Sequence, residues 1–117
     1  MQILITTQCM ENYAAHDWDG SGECPQGWKF KGGDDFIIKA DSFRFENDMA
    51  AKKAEILVDS LREKIEYSNN YVKRFIVGWN FVEDDYITDF ERSQLEYEGE
   101  IAFPAYRCTY DQLMETV

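Results

Sequence analysis

The alternation of apolar and polar positions divides the chain into a few elements. Residues 47–67 hold the clearest helical period. Ala50, Ala54, Leu57, Leu61 and Ile65 recur at spacings of three and four, with Val58 alongside and charged residues on the other faces. Asn47 or Asp48 can cap its start, and Asn69-Asn70 can end it. Residues 71–82 read as a strand. Tyr71, Phe75, Val77, Trp79 and Phe81 alternate on one face, interrupted by Lys73, and Val72, Ile76 and Val82 lie on the other. A strand apolar on both faces belongs in the middle of a sheet, under the long helix.

Weaker signals fill in the rest. Residues 2–8 are rich in β-branched types and predict a first strand. Residues 9–27 have no period and contain Asp19-Gly20, Gly22, Pro25 and Gly27, so they read as a long ordered loop. Trp28 to Lys31 and Asp35 to Ala40 flank Gly32-Gly33, which suggests a hairpin. In its second arm Phe36, Ile38 and Ala40 share one face. Residues 86–98 suit a short helix capped by Thr88 or Asp85 and closed by Gly99, with Tyr86, Phe90, Gln94 and Tyr97 as one stripe. A last strand over residues 101–110 is pushed to an edge by Pro104, and the tail from Asp111 to Val117 makes one more helical turn. The expected class is α+β: a mostly antiparallel sheet of four to five strands, one long helix packed on it, and a shorter acidic C-terminal helix.

At 117 residues the chain is expected to form a single domain, 1–117, with its own core. No apolar run reaches the roughly 18–20 residues of a membrane span, and MQILITTQ does not read as a signal peptide. Three cysteines fit a reducing compartment, so an intracellular protein is expected.

Charge changes the picture most. Residues 83–117 carry ten acids and two bases, a net of −8, whereas residues 1–82 carry thirteen acids and ten bases, a net of −3. Eight of those acids fall within residues 83–100, with Arg92 the one base there. Such a field disfavours direct contact with nucleic acid or anionic membrane and favours a partner with a basic surface. Read at helical pitch, Asp85, Asp89, Glu96 and Glu100 flank one side of the aromatic stripe, and Asp84, Glu91 and Glu98 flank the other. The candidate partner-binding residues are Asp84, Asp85, Asp89, Glu91, Glu96, Glu98, Tyr86 and Tyr97. The competing reading is a solvated acidic face.

Cys9, His16, Cys24 and Cys108 are all the Cys and His residues, four in number, as a tetrahedral zinc site requires. They are the candidate ligands of a zinc-stabilised module, although no C-x2-C knuckle is present. Cys9 or Cys24 with His16 is the candidate pair for a small thiol enzyme. No G-x-S-x-G or phosphate-binding glycine loop appears, and no catalytic residue is assigned.

The segments ENYAAHDWDGSGECPQGWKFKGG (residues 11–33) and DDYITDFERSQLEYEGE (residues 84–100) resemble small proteins encoded by tailed bacteriophages. That resemblance implies a phage product acting in the host bacterial cytoplasm. It shifts the reading towards a small acidic inhibitor of a host nucleic-acid-handling or defence protein, of the anti-CRISPR or anti-restriction type, working by nucleic-acid mimicry.

Overall fold

The computed structural model describes residues 2–39 and 48–115, with side chains at 48–50 left aside. The predicted cap at Asn47, Ala50 of the helical stripe, Ala40 and Asp41 of the hairpin arm, and the last two residues of the tail lie outside this description.

The structure is α+β, built on one mixed sheet. Its strands are β1 (Gln2–Asn12), β2 (Trp28–Phe30), β3 (Asp35–Lys39), β4 (Tyr67–Ser68), β5 (Val72–Val82) and β6 (Arg107–Thr109). The helices are α1 (Asp48–Ile65), α2 (Asp89–Glu98) and α3 (Tyr110–Glu115). The order across the sheet is β4-β5-β1-β3-β6, with β2 also paired to β1. The β3–β6 pair is parallel and the other pairs are antiparallel.

α1 forms as its periodicity predicts. Ala54, Val58, Leu61 and Ile65 are buried and pack on Ile3, Ile5, Phe36 and Ile38 of the sheet. Cys108 and Leu113 complete this core. α1 stops at Ile65, and Asn69 acts through its side chain rather than through a left-handed backbone. Its Oδ1 accepts from the backbone N–H of Tyr71 and of Val72, both at 2.8 Å, which closes the β4–β5 turn.

Four expectations are corrected. The first strand is eleven residues long and is itself the centre of the sheet, between β5 and β3. β2 and β3 do not pair as a hairpin. They lie end to end along one edge of β1, with Trp28 opposite Asn12 and Lys39 opposite Gln2. Gly33 sits at the junction, where a Cβ would collide with the Thr7 carbonyl, so the kink demands glycine.

β5 carries a bulge: Gly78 faces Thr6 and Ile76 faces Thr7, leaving Val77 unpaired. The extra residue reverses the alternation. Ile76 therefore joins Trp79 and Phe81 against the core, and Val77 is exposed. Finally, the C-terminal strand shrinks to three residues, because residues 101–106 form a loop held to α2.

The loop over residues 13–27 is tied down by one polar residue. Asn12 is fully buried, and its Nδ2 donates to the carbonyls of Pro25 (2.8 Å) and Asn70 (2.9 Å). Its Oδ1 accepts from Gly27 N–H at 2.8 Å. A single amide thus anchors the loop to both β1 and the β4–β5 turn, which answers how so long a segment stays ordered.

Candidate functional site

A polar network joins α2 to the sheet through Arg107 of β6. Thr88 caps the helix: its Oγ1 accepts from Glu91 N–H at 3.3 Å, and Glu91 Oε1 accepts from Thr88 N–H at 3.1 Å. This is a complete capping box, and both residues are buried. Glu91 also pairs with Arg107 of β6 at 3.2 Å. Arg107 donates to the Tyr86 carbonyl (2.8 Å) and to Gln2 Oε1 (3.4 Å), and Gln2 Nε2 donates to the Glu83 carbonyl (2.7 Å). Burial pushes the Glu91 carboxyl up. The Thr88 and Arg107 hydrogen bonds outweigh that, so it titrates below the usual carboxylate range.

This arrangement decides which predicted acids face solvent. Glu91 does not, since it is 1% exposed and neutralised by Arg107. Asp84 and Asp85 lie in a turn before the helix, closed by Tyr86 N–H on the Glu83 carbonyl. The continuous rail from Asp85 to Glu100 therefore does not form, because α2 spans only Asp89–Glu98 and Gly99 ends it with φ of 74°. Of the eight acids in residues 83–100, the seven besides Glu91 are all exposed: Glu83, Asp84, Asp85, Asp89, Glu96, Glu98 and Glu100. Arg92 stands between Asp89 and Glu96 on the helix surface by its spacing.

The aromatic stripe is exposed at its two rings on α2, as the candidate role of Tyr97 requires. Phe90 is 60% exposed and Tyr97 is 91% exposed, so the stripe points to solvent while Glu91 faces the sheet. Tyr86 is half-buried and contributes its carbonyl to Arg107. Between Phe90 and Tyr97, Gln94 clamps the following loop. Its Oε1 accepts from the N–H groups of Ala102 and Phe103, both at 2.8 Å, and its Nε2 donates to the Phe103 carbonyl at 2.7 Å. The clamp fixes Phe103, 72% exposed, beside the stripe. Three solvent-facing rings, Phe90, Tyr97 and Phe103, thus belong to a segment that also carries seven exposed acids.

Next to Phe90 lies a groove of about 320 Å³ lined by Asp34, Asp35, Asp89, Phe90 and Tyr106 among others. Burial, followed by the charges of Asp89 and Asp34, raises the Asp35 carboxyl above its ordinary range. Asp34 itself is paired with Arg74 at 3.0 Å. A cationic side chain placed in this groove would relieve the repulsion between carboxylates.

The four Cys and His residues are scattered. Cys9 lies in β1 with its Sγ 3.9 Å from Asp34 Oδ2, and Cys108 is buried in the core. His16 pairs with Glu11 at 3.2 Å, and Cys24 lies against Asn12 at 3.7 Å. Among the described residues no group of three or more His, Cys, Asp or Glu is placed to hold a metal ion. His16 therefore has a carboxylate partner in place of a thiol. Burial first, and then the Asp34 charge, raises the Cys9 thiol pKa, the opposite of what activates a nucleophilic thiolate. The Cys108 thiol is raised by burial.

Sequence reasoning missed the burial of Glu91 and the clamp at Gln94. The Thr88-x-x-Glu91 spacing was the signal for the first, whereas the second depends on a loop whose path no local pattern encodes.

No helix among the described residues is long and apolar enough to cross a membrane. Comparison of the chain with known families, curated proteins and solved structures finds no match.

Proposed function

We propose that this chain is a small protein-binding module that docks its acidic, ring-bearing face on the basic groove of a nucleic-acid-handling protein and so inhibits it. The observation that carries this reading is that one segment, α2 with the chain on either side of it, exposes three rings, Phe90, Tyr97 and Phe103, together with seven acids. A protein that grips single-stranded nucleic acid uses a basic groove for the backbone and aromatic platforms for the bases. Carboxylates beside exposed rings offer that groove both kinds of contact. Large exposed aromatics are otherwise a liability in a lone soluble domain, and they are enriched at the centres of protein interfaces. The resemblance to phage-encoded proteins supports a target in the bacterial host, with a defence nuclease or restriction enzyme as the fitting type.

The test is competition. Purified protein titrated into a complex of the captured partner with its nucleic acid should release the nucleic acid, and less so as salt rises. Release that is unaffected by Asp89→Lys, Glu96→Lys and Glu98→Lys combined would remove this reading.

A further inference from the structure

The edge of the sheet opposite β6 is incompletely covered. β4 pairs with β5 only at Arg74 and Lys73. Next along that edge, the Glu66 carboxylate takes the Ile76 N–H at 2.8 Å. From residue 77 to residue 82 no strand among the described residues lies on the outer side of β5. Soluble proteins protect such edges with charge, proline, shortness or a bulge, and here the Val77 bulge guards only the start of the open run. Residues 75–82, FIVGWNFV, contain no charged residue and no proline. Val77 is 51% exposed, and Asn80 is exposed as well.

The ends of this uncharged run carry opposite charge. Lys73 and Arg74 precede it, Arg74 being already paired with Asp34, and Glu83, Asp84 and Asp85 follow it. A strand with bases at its start and acids at its end is complementary to itself when turned antiparallel. The two ends then meet as unlike charges, and the uncharged middles pair backbone to backbone. A two-fold axis requires a residue opposite itself, and a centre at Trp79 sets residues 77–81 of each copy against one another.

We infer that β5 is the dimerisation edge of this protein: two copies join their sheets antiparallel through residues 77–81, with the basic end of each strand beside the acidic end of the other. The Val77 bulge and the Glu66 carboxylate mark where the open run stops, which limits slippage of the register. The net charge of −11 opposes association at long range, so the dimer is favoured at 0.15 M salt, where the Debye length is about 8 Å. This edge shares Glu83, Asp84 and Asp85 with the acidic face proposed for docking, but that proposal is tested at Asp89, Glu96 and Glu98 of α2, so either can fail without the other.

The experiment is sedimentation equilibrium on the full chain across a range of concentrations in 0.15 M salt, paired with hydrogen exchange at low and high concentration. The expected result is a reversible dimer in which amides within residues 77–81 gain protection as concentration rises. Val77→Lys puts a charge into the uncharged run at an exposed position, so it should fold normally and weaken the dimer by about tenfold or more. A chain that stays monomeric throughout overturns the inference. A dimer that is indifferent to Val77→Lys and leaves residues 77–81 unprotected overturns it too, because its contact lies elsewhere.

Discussion

Replacing Glu91 with glutamine tests whether this acid belongs to the fold or to a partner. The change keeps the shape of the side chain and an oxygen able to accept from Thr88, and removes only the charge. In the folded protein Glu91 Oε1 takes three hydrogen bonds: from Thr88 N–H at 3.1 Å, Thr88 Oγ1 at 3.2 Å and Arg107 Nη2 at 3.2 Å. The bond to Arg107 is charge-assisted and one partner is buried, which sets its worth at about 2 kcal/mol. At roughly 4 °C per kcal/mol for a domain of this size, Tm should fall by about 8 °C. Glu91→Ala, which also destroys the capping box, should cost about 3 kcal/mol or more.

The effect of pH separates this account from a packing defect. The folded carboxyl titrates below its ordinary value of 4.5, so its stabilisation is complete above that pH and is lost as pH falls through the folded value. The stability gap between the native chain and Glu91→Gln should be full at neutral pH and close in acid. Denaturant unfolding followed by circular dichroism at a series of pH values measures the gap. A gap that is absent at neutral pH, or constant down to strongly acidic pH, would refute the reasoning.

Three further outcomes are expected. Asn12→Ala removes the buried amide that holds residues 13–27, and should cost about 2–4 kcal/mol with proteolytic nicking concentrated in that loop. Gly33→Ala drives a methyl group into the Thr7 carbonyl and should lower stability by about 2 kcal/mol or more in the same denaturant assay. Alkylation of the Cys9 thiol, followed by mass spectrometry of the labelled peptide, should accelerate only above its ordinary pKa of 9.0, and rapid labelling at neutral pH would contradict the raised value.

The elements that the sequence revealed are those whose burial is one-sided and regular. α1 shows its buried face at Ala54, Val58, Leu61 and Ile65 because nothing interrupts the helical period. β5 was legible as a strand, but its faces were not. A single unpaired residue, Val77, reverses the alternation, and it depends on the register against Thr6 and Thr7 of a distant strand. The supposed hairpin failed for a related reason. Gly32-Gly33 between two apolar runs looks like a tight turn, yet here it joins two strands laid in series along β1. The candidate surface was half legible. Its acidity is a matter of counting, whereas the direction of α2 turns on a buried carboxylate that composition places among the exposed ones.

The most direct test of the central claim is affinity capture from bacterial lysate with three immobilised proteins at low and high salt. These are the native chain, the combined Asp89→Lys, Glu96→Lys and Glu98→Lys variant, and Glu91→Gln. The account predicts that the native chain and Glu91→Gln retain the same basic nucleic-acid-handling protein at low salt, that high salt releases it, and that the reversed variant never holds it. Equal capture by all three, unchanged by salt, would contradict the claim that the exposed acids of α2 are the working surface.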